Sequence, residues 1–359
     1  MFGQIRFIYD DIMDSDFEPN DRFVHVPTKL DQLKNLLEGS RWGCAFDRHV
    51  FLRQLNPVLN EWNGQFPNLR DIFSPEQIEH LLSETRNYYY MEHRNSNERN
   101  EFIRFVIRCG YKDEPDLDKN GRPSLVRTTP IHLAARDGDY DTIPDLFKIY
   151  SSFDLNYIDE YTGMTHFEIA SMTFCKDAIE KFLEFGNDPN ITLPMTGEPL
   201  LHAALKKKER EIVEILLRKG ANPNLADKSG YRALHIICQD NSDDVHSAKM
   251  LFELSQKYHP LLVDAQDEFG DSALHLALRY GNNKLVEFLL KIGADSSLVN
   301  KNGLTPRYST SGGHRELMKV LRTTNELTNV SNCNNKRPLR AKRAPKRLHY
   351  IAGYIQLLR

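Results

Sequence analysis

The sequence predicts an all-α solenoid, in which helix pairs stack side by side and hairpin loops project from one edge. Three observations carry that expectation. A short phrase recurs as TPIHLAARDGD at 129–139, EPLLHAAL at 198–205, RALHIIC at 232–238 and SALHLAL at 272–278. A second phrase recurs as EFGNDPNITLPMTG at 184–197, RKGANPNLADKSG at 218–230 and KIGADSSLVNKNG at 291–303. Between them, EIVEILLRKG and LVEFLLKIG place apolar side chains at i, i+3, i+4 spacing, the signature of an amphipathic helix.

Within each unit the first helix opens at the recurring phrase. Thr129 is placed to cap it, and Pro130 suits its first turn, where a missing N–H loses no hydrogen bond. Small and large apolar residues then alternate, as in Leu133, Ala134 and Ala135, or Leu274, Leu276 and Ala277, which lets this helix lie close to its neighbours. The second helix ends at Gly186, Gly220 or Gly293, where a left-handed C-cap favours glycine. The stretch from there to Gly197, Gly230 or Gly303 is polar and turn-rich, and is expected to form the projecting hairpin. One such unit cannot bury its own apolar face, so neighbours must supply the core.

The Thr position of the first phrase falls at Thr129, Thr165, Pro199, Arg232, Ser272 and Thr305, giving offsets of 36, 34, 33, 40 and 33. A period near 33 with this wording resembles the ankyrin repeat, with six units expected over 129–327. Departures from the family pattern mark two units. The second has Glu168 where the family has His, and the sixth has Tyr308; both are expected to be less stable, and the sixth to act as an end cap.

His132, His202, His235 and His275 recur at one register and invite a metal reading. Packed helix axes lie about 8–10 Å apart, whereas zinc ligands each sit about 2 Å from one ion. Equivalent histidines in successive units are therefore too distant to share a metal, and ring nitrogens bonding backbone groups between repeats is the expectation. No metal and no cofactor are expected.

Residues 1–128 read as a helical capping region. Thr28 and Asp31 form a capping box ahead of the stripe Leu30, Leu33, Leu36 and Leu37; Ser74, Pro75 and Gln77 repeat that logic. NEFIRFVIRCG ends on Gly110, and CGYKDEPDLDKNG parallels KGANPNLADKSG closely enough to mark a degenerate leading unit. Trp42 and Trp62 are expected inside this cap. The region also resembles the segment preceding the repeats in a large insect family of ankyrin proteins, a resemblance that brings no activity with it. Asp116, Asp118, Asn120 and Gly121 match the opening of an EF-hand calcium loop, but the twelfth position, which needs a bidentate Glu, is Arg127; a hairpin turn is expected instead.

The net charge of −3 conceals an asymmetry. The tail 328–359 holds Lys336, Arg337, Arg340, Lys342, Arg343, Lys346, Arg347 and Arg359, so 336–359 carries +8 and the remainder −11. Pro338 and Pro345 make a continuous helix there improbable. A nuclear-import signal, nonspecific attraction to nucleic acid or anionic lipid, and a plain solvated tail all fit, and the apolar LHYIAGYIQLL beyond it fits docking on the array's open end or on a partner. The acidic N-terminus does not resemble a secretory signal, and no run of eighteen apolar residues indicates a membrane span. Five cysteines, an odd set without a C-x-x-C pair, point to reduced thiols in the cytoplasm or nucleus.

No P-loop, H-E-x-x-H, G-x-S-x-G or dinucleotide fingerprint occurs, and acids and histidines follow the repeat period instead of gathering, so neither catalysis nor a small-molecule substrate is expected. The ankyrin resemblance implies a concave face of hairpin tips and first-helix ends that binds protein. Positions there with no packing duty are Tyr161, Met164, Lys206, Lys207, Lys228, Tyr231, Phe269, Asp271, Arg279, Tyr280, Asn302 and Leu304. Tyr231, Phe269 and Tyr280 lead the group, because aromatic side chains dominate binding energy once buried. The expected function is a noncatalytic protein-binding scaffold or adaptor. The alternative is a nuclear, nucleic-acid-associated regulator acting through the basic tail.

Overall fold

The computed structural model describes residues 28–40, 42–60, 62, 64–84 and 101–308. The tail residues Lys336, Arg337, Arg340, Lys342, Arg343, Lys346 and Arg347, and the second half of the sixth unit, lie outside the described residues.

Among the described residues four helices precede the repeats: α1 (Lys29–Glu38), α2 (Ala45–Asn60), α3 (Pro75–Glu84) and α4 (Glu101–Arg108). Five pairs follow. They are α5 (Pro130–Arg136) with α6 (Ile143–Ile149), α7 (His166–Met172) with α8 (Lys176–Glu184), and α9 (Leu200–Lys207) with α10 (Arg210–Arg218). The series continues with α11 (Ala233–Gln239) and α12 (Val245–Ser255), then α13 (Ala273–Tyr280) and α14 (Asn283–Lys291). First helices pack on first helices, α5 on α7 and α9 on α11 on α13; second helices pack on second, α8 on α10 on α12 on α14. The core is thus a continuous two-layer seam. Helix α10 shows why: Ile212, Val213, Leu216 and Leu217 are all buried, each stabilising the stack by roughly 1.5–3 kcal/mol relative to exposure.

Hairpins project ahead of each first helix as narrow fingers, closed by antiparallel bridges such as Thr192 to Pro199 and Gln266 to Ser272. Their tips touch through backbone. Glu268 N–H donates to Ser229 O (3.3 Å) and Lys301 N–H to Phe269 O (3.0 Å). Gly270 is left-handed (φ +78°), and a Cβ there would stand 2.7 Å from Lys301 N, so glycine is demanded by both conformation and space. A polar ladder runs along the finger bases: Asn156 donates to Asn187, Asn190 accepts from Asn222 N–H, Asn224 accepts from Leu262 N–H, and Asp264 from Asp295 N–H.

The N-terminal helices join the same stack, since α3 packs on α5 and α4 on α6. Both expected caps form. Thr28 and Asp31 exchange bonds of 2.9 and 3.2 Å, and Ser74 and Gln77 bonds of 2.9 and 3.2 Å. Trp42 and Trp62 are half-buried, not enclosed: Trp42 leans on Phe51 at 5.1 Å and Trp62 on Phe105 at 4.9 Å. The EF-hand-like loop is a turn in which Asp118 accepts from the N–H groups of Asn120 and Arg122 (both 2.8 Å). Arg127, at the twelfth position, supplies the positive charge itself. Its guanidinium meets Asp113, Asp116 and Glu79 at 3.1, 3.4 and 2.8 Å, tying α3 and the leading finger to the first repeat. Burial pushes the Asp113 carboxyl up to about 6, against the pull of Arg127.

Candidate protein-binding face

The phrase that opens each first helix turns out to be a hydrogen-bonded bracket. His132 Nδ1 accepts from Thr129 N–H (3.0 Å), His235 Nδ1 from Arg232 N–H (3.2 Å) and His275 Nδ1 from Ser272 N–H (3.1 Å). Each Nε2 is then left to donate to the next unit's backbone, at Tyr157 O (3.3 Å), Asp271 O (3.2 Å) and Leu304 O (3.1 Å). The histidines are inter-repeat ties, and burial holds every ring below its ordinary pKa, His132 at about 4.

Three details depart from the sequence expectation. The Thr129 hydroxyl goes to histidine rings instead of the helix N-terminus, lying 2.7 Å from Nε2 of His166, a buried residue standing where the family has proline. Glu168 does not weaken the second unit's cap; Thr165 N–H donates to its carboxylate (2.7 Å) and Glu168 N–H donates to the Thr165 hydroxyl (3.1 Å). In the third unit Pro199 has no N–H to offer, so Nδ1 of the buried His202 lacks the bracket bond, and the ring keeps only a backbone bond to Leu225.

With those residues committed, the remaining side chains define the available face. At the finger tips Tyr161 is 78% exposed and Phe269 59%. Met195 is as open as Tyr161, although the sequence reading passed over it; its place two residues before Gly197, matching Tyr161 before Gly163, was the available signal. Lys207, Lys228, Asn302, Leu304 and Tyr280 are exposed, and Lys206 extends outward while paired with Glu198 (2.6 Å). Tyr231 is half-buried and stacked on His235 (6.0 Å), and Met164 packs against the core. Asp271 is a correction. It is 2% exposed, ion-paired with Arg279 (2.7 Å) and bonded by Asn300 Nδ2 (2.8 Å), so it serves the fold and holds Arg279 in place.

A cleft of about 390 Å³ opens on this face. Its floor is Leu205, Ile236 and Ile237; its rim is Lys206, Lys208 and Tyr280. The cause lies in the fourth unit, whose 40-residue spacing exceeds its neighbours' 33. Helices α9 and α13 run on to left-handed caps at Lys208 (φ 63°) and Gly281 (φ 75°), whereas α11 stops at extended Asp240 (ψ 133°). The chain leaves the layer early and a notch remains between the longer ends. The loop that follows, 240–244, is stapled to the next unit by exchanged caps. Asp243 accepts from Lys284 and Leu285 N–H at the start of α14 (3.1 and 2.9 Å), while Asn282 Nδ2 donates to Cys238 O and Asp240 O at the end of α11 (2.9 and 2.8 Å).

Comparison with known families agrees with this geometry. The family described as Ankyrin repeats matches in three copies, over residues 167–259, 200–300 and 247–334. This chain is an ankyrin-repeat protein. Such repeats are generally protein-interaction modules. Among the relatives, human SH3 and multiple ankyrin repeat domains protein 2 is 26% identical over 212 residues, covering 58% of this chain and 11% of its own. The B-cell lymphoma 3 protein homolog of Mus musculus is 29% identical over 187 residues, covering 50% of this chain and 39% of its own. The Palmitoyltransferase AKR1 of Lachancea kluyveri is 27% identical over 194 residues, covering 53% and 26%. The chain therefore spans well under two thirds of the length of these relatives. Among the described residues no helix is long and apolar enough to cross a membrane.

Proposed function

We propose that this protein is a noncatalytic scaffold or adaptor of the cytoplasm or nucleus that grips a protein partner across the fingers and first-helix ends of its ankyrin array. The observation that carries the reading is the row of large apolar side chains left open at the finger tips, Tyr161, Met195 and Phe269, with Tyr280 behind them. Large apolar groups held rigidly in water, on residues with no packing duty, are what a partner buries for affinity. The face also carries cations in fixed places, because Arg279 is held by Asp271 and Lys206 by Glu198. The test is capture of partners by in-cell crosslinking with wild type and with Tyr161, Phe269 and Tyr280 all changed to Ala. Capture falls while the urea midpoint stays near wild type; unchanged capture removes this face.

A second reading, a nuclear nucleic-acid-associated regulator, is favoured by the +8 charge of residues 336–359. It predicts that binding to duplex DNA falls steeply with salt and disappears on deletion of 336–359. A salt-insensitive result excludes it.

A further inference from the structure

We propose that the basic segment 336–347 docks within the same chain on the acidic flank formed by the first two repeats, so that the array competes with outside polyanions for its own tail. The contact depends on neither functional reading above. Charge is distributed unevenly along the solenoid. Residues 128–197, which build the first two repeats, hold twelve acids and four cations, a net −8, whereas residues 198–308 hold fifteen of each and are neutral. Every cation of the first two repeats is already engaged: Arg136 with Asp159 (3.8 Å), Lys148 with Asp145 (2.7 Å), Lys181 with Glu184 (2.8 Å), and Lys176 with Glu211 of the following unit (2.7 Å). Acids are left over. Asp141, Asp154, Glu160 and Asp177 are exposed and have no ion pair among the described residues.

Asp141 lies in the turn that enters α6 and Asp177 in the first turn of α8. They are 36 residues apart, the offset of the two repeats, and so hold equivalent places on adjacent units. Asp154 follows α6, and Glu160 stands at the finger tip next to Tyr161. The Tyr161 ring already carries the Arg136 guanidinium at 5.2 Å, so this tip offers an arginine a carboxylate and an aromatic face together. The complement is in the tail, where residues 336–347 hold four arginines, three lysines and no acid. Reach is sufficient. Between Tyr308 and Lys336 lie 27 residues, which span up to about 90 Å at about 3.3 Å each, while the sixth repeat stands about 40–50 Å from the first at about 8–10 Å per step. Single exposed ion pairs are weak, but tethering makes docking an intramolecular step, so attraction too slight to hold a free peptide holds this segment.

Two measurements on the full-length chain test this contact. The first is zero-length carbodiimide crosslinking of an equal mixture of unlabelled and nitrogen-15-labelled protein at about 50 mM salt, read by mass spectrometry. Lys336, Lys342 and Lys346 are expected to join Asp141, Asp154, Glu160 and Asp177 in products of a single isotope, and about 0.5 M sodium chloride is expected to abolish them. The second is the rate at which trypsin cuts within 336–347, which follows the undocked fraction. A variant carrying Asp141→Asn, Asp154→Asn, Glu160→Gln and Asp177→Asn is expected to be cut there at least about fivefold faster than wild type. A control carrying Glu209→Gln, Glu253→Gln, Glu268→Gln and Glu287→Gln, exposed acids of the neutral repeats, loses the same charge and is cut at the wild-type rate. Circular dichroism and urea midpoints establish that both variants are folded. Products carrying both isotopes place the tail on a second copy, crosslinks spread evenly over all repeats make the attraction unspecific, and equal cleavage of the two folded variants removes the role of these acids. Each of these overturns the proposal, as does the absence of any crosslink from 336–347.

Discussion

The third and fifth repeats carry almost the same words, LLHAAL and ALHLAL, and are tied into the array differently. In the fifth, Ser272 N–H and Leu304 O hold the two nitrogens of His275, and the finger tip is bonded onward through Phe269 O to Lys301 N–H. In the third, Pro199 leaves Nδ1 of His202 without an N–H and the ring with only a backbone bond to Leu225, and the space beside Gly197 meets only the Lys228 side-chain end at 3.5 Å. Apolar packing is alike in the two, since each first helix buries six residues. Stacked repeats with one hydrophobic plan can thus differ in polar ties, and the ties turn on single residues at the helix start. The cleft lies between these unequal neighbours.

The largest expected effect comes from charging the buried histidine rings of all the repeats together. Burial holds His132 and His202 at about 4 and lowers His166, His235 and His275 from the ordinary 6.5. The unfolded chain takes up protons near 6.5 while the folded chain refuses them, so stability is complete above 6.5 and declines as pH falls toward 4. The slope is about 1.4 kcal/mol per pH unit for each ring that stays neutral. Asp113, raised to about 6, opposes this with one proton that the folded state binds first. Urea midpoints are expected to drop steeply between pH 6.5 and 4.5; a flat profile would mean the rings are not held neutral.

Next in size is Gly270→Ala, which forces a left-handed alanine against Lys301 N and is expected to cost about 2–3 kcal/mol. Gly197→Ala has only a flexible lysine end to displace and is expected to cost about 1 kcal/mol. Equal losses by urea denaturation would remove the distinction between zipped and open fingers. A smaller contrast separates His275→Ala from His202→Ala. The first strands a buried N–H and a carbonyl, the second only the Leu225 carbonyl, so the first should cost about 1 kcal/mol more. The smallest change is a gain. Pro199→Thr supplies the missing N–H, and about 0.5–1 kcal/mol of stabilisation is expected once the lost rigidity of proline is offset.

Much of the frame was legible from the chain itself. The helix order followed from the spacing of Thr129, Thr165, Pro199, Arg232, Ser272 and Thr305, and the left-handed turns from Gly186, Gly220 and Gly293, because period and backbone sterics are local. The face was only partly legible. Tyr161 and Phe269 stand where their place in the finger predicts, but Asp271 is drawn inward by Arg279 and Asn300, groups eight and 29 residues away that no local pattern pairs with it. The cleft was present in the sequence as the 40-residue interval, yet its shape depends on how α11 ends, which Asn282 and Asp243 decide from either side of the repeat boundary. His166 was silent for the same reason: its partner Thr129 lies in the preceding repeat.

Site-resolved amide hydrogen exchange on the full-length chain tests the unequal tying of the repeats most directly. Amides of α9 are expected to exchange faster than those of α13 in wild type, and Pro199→Thr is expected to narrow the gap by slowing α9. Equal protection of the two helices, or an α9 that does not respond to Pro199→Thr, would contradict the account.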